Sequence, residues 1–263
     1  MRAREAVRRI EAAIPPEWAE EWDNVGLLAG DPEAEVRAIR VSLDASEGAV
    51  REAARVGAML LTHHPLLFRP VRRVLGDEPV GRILTMALRE GVPLMAAHTN
   101  WDVAPKGVNR CLADRLGLVG PVPLEPRERG WGLGARGEVP VPLPLDEWAG
   151  RIREAWGLSW LRVFGDRARE VRVLALVGGA GGDGWRAALE AGADLFVTAD
   201  MGYHAIADAV ASGLAVAVAD HGEMERTSLD ALAEVASGAT GLEALALPGG
   251  TVGFVLSDGP AVG

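Results

Sequence analysis

Short apolar runs of strand length alternate with helical stretches along almost the whole chain. That alternation confines it to the α/β class with mostly parallel sheets. Helices are expected over 3–13, 46–56, 79–90 and 107–115, around strands 38–44, 58–62 and 92–97. Pro and Gly crowd the stretch 116–146, which reads as a domain junction. A second unit follows, with helices 145–156, 183–191, 203–212 and 225–237 around strands 171–177, 194–198 and 214–219. Two last strands are expected over 242–247 and 251–256, around Pro248-Gly249-Gly250.

The 263 residues leave room for one large domain or two smaller ones, each with a real core. A formal net charge of −10 argues against a broad nucleic-acid surface, although Arg69, Arg72 and Arg73 form a local basic cluster. No apolar stretch reaches the length of a membrane span, and the N-terminus reads as a charged amphipathic helix without an apolar signal core. The single cysteine, Cys111, excludes an internal disulfide framework and reads as a small buried apolar residue. A cytoplasmic location is expected.

Against this map the five histidines sort themselves. His63 and His64 end the strand 58–62, just before Pro65, in "LLTHHPLLF". His98 ends the next strand, with Asp102 four residues on. His204 follows strand 194–198, and His221 ends strand 214–219 with Glu225 four residues later. All five lie at or just past the carboxyl ends of strands, where open α/β sheets place their ligands. Each histidine taken singly reads as a cap, a backbone-bonded side chain or a solvent-exposed one. The set reads as a metal site.

Imidazoles with carboxylates suit zinc, iron, manganese or cobalt. His63, His64, Asp102, His221 and Glu225 exceed what one tetrahedral ion needs, so a carboxylate such as Asp102 could bridge two divalent ions. Glu223 competes with Glu225 on spacing alone.

Several stretches in order resemble one known family. They are "PPEWAEEWDNVGLLAG" (15–30), "THHPLLF" (62–68), "AHTNWDVAPKGVN" (97–109), "GADLFVTADMGYHAIADA" (192–209) and the segment from His221 to Glu225. Together they resemble the NGG-interacting-factor-like proteins, often labelled GTP cyclohydrolase I type 2. The resemblance implies a homohexamer and a metal pair held by His63, His64, Asp102, His221 and Glu225. It favours Glu225 over Glu223. Ligands drawn from both ends of the chain imply a metal-binding domain of residues 1–120 plus about 220–263, with about 121–219 forming the second. Two positions depart from the family pattern: Ala199, usually Gly, and Tyr203, where many members carry a second histidine.

Gly179-Ala-Gly-Gly-Asp-Gly184 fits G-x-G-x-x-G between a strand and a helix, with Asp200 ending the next strand. In a chain with 33 glycines it reads better as a tight strand-to-helix turn than as a dinucleotide site, though its N–H groups suit a phosphate. Trp148 and Trp156 read as core or interface, and Trp101 as a lining residue of the site. The expected protein is a two-domain α/β metalloprotein with a dinuclear site at strand carboxyl ends. As an enzyme it would be a hydrolase or cyclohydrolase acting on a nucleotide. Activated water would attack an electrophilic carbon such as guanine C8 of GTP, with His98 or His204 moving protons. The alternative is a non-catalytic metal-binding ring that acts through protein or nucleic-acid partners.

Overall fold

The computed structural model describes residues 1–127 and 132–249, so the strand expected over 251–256 lies outside the described residues. Helix α1 (Ala3–Ala13) buries Ala3, Ala6, Val7 and Ile10, the stripe that a 3.6-residue period places on one face. Then come β1 (Gly26–Ala29), β2 (Ala38–Ser42), α2 (Glu47–Val56), β3 (Ala58–Thr62), α3 (Pro79–Arg89), β4 (Leu94–Ala96), α4 (Thr99–Asp102) and α5 (Val108–Arg115). The middle of the chain adds β5 (Val119–Val122), β6 (Glu125–Pro126), β7 (Gly132–Leu133), β8 (Ala135–Pro144), α6 (Leu145–Trp156), β9 (Leu161–Phe164) and β10 (Glu170–Leu176). The rest is α7 (Trp185–Glu190), β11 (Leu195–Ala199), α8 (Tyr203–Ala211), β12 (Ala215–Ala219), α9 (His221–Arg226), α10 (Leu229–Thr240) and β13 (Glu243–Ala246). Local chemistry sets several of these boundaries. Ser46 caps α2 by accepting from the Ala49 N–H, and Gly57 ends it in the left-handed region.

Besides the two-stranded pair β6-β7, two large sheets result among the described residues, ordered β1-β4-β3-β2-β13 and β5-β8-β10-β11-β12-β9. Both are mixed, which corrects the expectation of mostly parallel sheets. β2, β3, β4 and β13 run parallel, as do β10, β11 and β12, but β1, β5, β8 and β9 pair antiparallel. The reason lies in the connections. A parallel return within one sheet needs a crossover of a dozen or more residues. The links 30–37 after β1 and 165–169 after β9 are shorter and carry no helix, so each strand runs against the one that follows it.

The Pro/Gly-rich stretch read as a junction holds β5 and β8. β8 pairs with β5 at Arg136 and Glu138, whereas Pro140, Pro142 and Pro144 lie beyond that pairing, Pro144 opposite Glu170 of β10 on the other side. Proline's missing N–H is tolerated on an unpaired strand side. The expected helix 225–237 resolves into α9 and α10, broken at Thr227-Ser228.

One hydrophobic core joins the two sheets. It runs from Ile10 through Met59, Leu61, Leu112, Trp148, Ile152, Leu174, Val197 and Ala217 to Leu232. Trp148 and Trp156 are buried in it as expected, their indole N–H groups donating to the carbonyls of Val141 and Leu112. Among the described residues no helix is long and apolar enough to cross a membrane.

Candidate metal centre

Residues just beyond the carboxyl ends of β2, β3 and β4 meet residues beyond β10, β11 and β12. His63 and His64 follow β3, His98 follows β4, Asp102 ends α4, and α9 carries His221 and Glu225 one helical turn apart. Asp220 caps α9 by accepting from the Glu223 N–H, which starts the helix where His221 can face inward.

Each histidine at the cluster has one ring nitrogen engaged by an acceptor. His63 Nδ1 donates to the Ala97 carbonyl at 3.0 Å. His64 Nδ1 meets Asp44 Oδ1 at 2.7 Å, His98 Nδ1 meets Asp23 Oδ1 at 2.9 Å, and His221 Nδ1 meets Asp200 Oδ2 at 2.7 Å. Such outer acceptors fix ring orientation and leave Nε2 as the inward atom, the arrangement that metal-binding histidines use. Asp23 is itself held by the Thr99 N–H at 3.0 Å and by the Thr99 hydroxyl. Asp200 adopts a left-handed backbone conformation, φ 52°, to reach His221.

The inner atoms converge on Glu225. His64 Nε2 lies 2.9 Å and His221 Nε2 3.0 Å from Glu225 Oε2, while His63 Nε2 stands 3.6 Å from both Glu225 Oε1 and Asp102 Oδ1. Three overlapping sets have their ligand atoms within 4.8 Å of one another: His63 with His64 and His98, His64 with His221 and Glu225, and His63 with Asp102 and Glu225. His63 Nε2 and Asp102 Oδ1 are buried and have no hydrogen-bond partner among the described residues. Orphaned buried polar atoms are costly, and a cation between them would satisfy both. The donor set therefore fits divalent metal.

Without metal, protons hold the cluster together. Burial works against charge on His64, yet Asp44 and Glu225 push its pKa up to about 10. The hydrogen bond with Glu225, aided by Asp200 and opposed by burial, pushes His221 up to about 9. Burial would lower His63 too, but the charges of Glu225 and Asp102 raise it. Against its own burial, Glu225 is kept well below the usual carboxylate range by charge on His63 and by its hydrogen bond with His221. Burial also pushes Asp102 up to about 6.

A cavity of about 470 Å³ opens over the cluster. Its floor includes His64, His98, Asp102, His221 and Glu225, and its walls include Trp22, Phe68, Val103, Leu133 and Val177. Gly178, Ala180 and Gly181 form one lip. A Cβ on Gly179 would meet Glu225 Oε1 at 2.2 Å and His221 Nε2 at 3.3 Å, and the residue has φ +67°. The glycine-rich turn thus lets backbone pass close to the cluster, as its reading as a tight turn expects.

The description Duf34/NIF3 (NGG1p interacting factor 3) matches the chain over residues 1–247. The chain belongs to the Duf34/NIF3 family. A Clostridium perfringens relative, a GTP cyclohydrolase 1 type 2 homolog, is 34% identical over 217 residues, covering 81% of this chain and 83% of its own. A Streptomyces coelicolor protein of the same description is 36% identical over 216 residues, covering 79% and 75%. Among solved structures, a Staphylococcus aureus hypothetical protein superposes with a TM-score of 0.90 at 26% identity, covering 98% of this chain and 99% of its own.

For this Duf34/NIF3 member, the sequence-predicted ligands His63, His64, Asp102, His221 and Glu225 come together, and His98 joins them at ligand distance. Glu223 turns away and accepts from the Ser159 N–H and hydroxyl. His204 is exposed on the first turn of α8, packs edge-on against Tyr203, and is not part of the cavity lining. Trp101, expected to line the site, is instead buried in the core with its indole N–H on Ser228 Oγ. Cys111 is half-buried rather than buried, its thiol donating to the Lys106 carbonyl. Sequence reasoning missed the outer acceptors Asp23, Asp44 and Asp200. The signal was present for two of them, since Asp44 and Asp200 also follow strand ends.

Proposed function

We propose that His63, His64, His98, Asp102, His221 and Glu225 hold two divalent ions and that the chain is a metal-dependent hydrolase of the cyclohydrolase type. The carrying observation is the pair of orphaned buried atoms, His63 Nε2 and Asp102 Oδ1, facing the Glu225 carboxylate. Ions of this kind, when bound, activate water near neutral pH and polarise an electrophile. The chain's own residues do the rest. Asp23, Asp44 and Asp200 hold three imidazoles in place, so little reorganisation is needed when ligands engage. The apolar walls limit water above the floor, which strengthens electrostatic interactions inside the cleft. His98 belongs with the ligands in this reading rather than as a proton shuttle, and His204 has no part in it.

A nucleotide substrate is supported by the relatives described as GTP cyclohydrolase 1 type 2 homologs. The test combines elemental analysis with assay of formate release from GTP by wild type, chelator-treated protein and Glu225→Gln. About two ions per chain, with formate release abolished in both controls, is the expected result. Metal present without turnover of GTP or related nucleotides would favour the non-catalytic ring instead. Absence of bound metal in protein purified with zinc, iron, manganese or cobalt would sink the reading.

A further inference from the structure

One feature of the cleft is unrelated to metal ligation. Trp22 is 61% exposed and Phe68 is 44% exposed, although both are large apolar side chains at the mouth of a cavity. They pack edge-to-face on each other with centroids 5.8 Å apart, and each packs edge-on against His98, at 6.3 Å and 6.0 Å. The three rings form an aromatic wall that rises from the histidine floor and leaves an indole surface open to solvent.

This wall is built rather than loose. The turn that projects Trp22 is pinned on both sides: the Asp23 carboxylate holds His98 and Thr99, and the Asn24 amide donates to the Leu67 carbonyl at 2.6 Å. The Glu20 N–H donates to Thr99 Oγ1 at 2.9 Å, and the Asp23 N–H to the Glu20 carbonyl at 3.0 Å. An exposed aromatic on a mobile loop contributes little to recognition. One fixed at a set height beside a reactive floor offers a pre-organised stacking surface.

We propose that the open indole face of Trp22, backed by Phe68, is the subsite that stacks the flat heteroaromatic base of the substrate and positions it over the His98 side of the cluster. This rests on the hydrolase reading for the substrate's class, but not for the stacking itself. Trp22 here is a positioning and specificity residue, since the carbon to be attacked would lie over the floor.

The test measures equilibrium binding of GTP and of inorganic tripolyphosphate to metal-loaded wild type, Trp22→Phe and Trp22→Ala. Metal content and sedimentation are measured on the same samples. Base-on-aromatic stacking is worth enough that Trp22→Ala should lose about ten-fold or more in GTP affinity. Trp22→Phe should lose less, and tripolyphosphate should bind all three proteins equally. Metal content should not change, because Trp22 ligates nothing. Equal GTP affinity in wild type and Trp22→Ala overturns the subsite, as does an equal fall for tripolyphosphate. So does failure of wild type to bind GTP more tightly than tripolyphosphate. A change of oligomeric state in Trp22→Ala with GTP affinity intact would likewise overturn it, assigning the exposed pair to an interface between copies. Loss of the hydrolase reading appears separately, as missing metal or missing turnover in wild type.

Discussion

Glu225 accepts from His64 and His221 while His63 stands 3.6 Å away, so a single buried carboxylate faces three imidazoles. That crowding has a definite pH signature. A free histidine titrates near about 6.5, whereas His64 and His221 are pushed up to about 10 and about 9 in the fold. Groups whose folded pKa is raised contribute stability that is complete below their unfolded pKa and is lost as pH climbs through the folded one. The urea midpoint of chelator-treated protein should therefore fall steadily between pH of about 7 and pH of about 10. Metal-loaded protein, whose ligands are neutral imidazoles, should not show that fall, and its affinity for metal should rise over the same range. A flat midpoint in the chelated protein would mean that these ion pairs do not form. The residue types at strand ends were legible in the sequence because histidines are few and fall where α/β sheets place ligands. Asp23 was not, since it precedes β1 by sequence and reaches His98 only through the folding of a turn 75 residues away.

At the scale of elements, the turn after β10 shows how close backbone comes to the cluster. Gly179 accepts from the Ala199 and Gly181 N–H groups, and a side chain there would run into Glu225. Gly179→Ala should lower stability by about 1–3 kcal/mol, from positive φ and from displacement of the carboxylate. It should also reduce bound metal, as read by denaturant midpoint and elemental analysis. Full metal content with an unchanged midpoint would contradict the close approach. The same stretch shows what composition hides. G-x-G-x-x-G between strand and helix signals a nucleotide loop by spacing, yet here it turns a backbone past a carboxylate. Prolines misled in the opposite direction, because Pro140, Pro142 and Pro144 lie in β8 beyond its pairing with β5. β9, Leu161–Phe164, escaped notice because four residues with an arginine among them carry too short a pattern to stand out.

Across the whole molecule, the helices between the parallel strands were legible from apolar periodicity. The sheet directions were not, because they depend on connection lengths rather than on any single residue. The largest core cluster draws on both sheets and on α10, and the metal centre draws on α4 and α9. A chain ending at residue 219 should therefore lack both metal binding and a cooperative thermal transition, because it loses His221, Glu225 and the buried Met224, Leu232 and Ala236. Metal-binding, cooperatively unfolding protein from that truncation would show that the first sheet stands without its return strand.

The return strand β13 has a consequence in time. It pairs with β2 in parallel, Glu243 opposite Ala38 through Ala246 opposite Val41, so among the described residues the first sheet opens near residue 26 and takes its last strand only near residue 246. The second sheet, from Val119 to Ala219, has all its described strands earlier. On a ribosome adding about 5–20 residues per second, the later-starting half of the molecule can close first. The earlier half must wait, its strand β2 without its outer neighbour, until nearly the whole described chain has emerged.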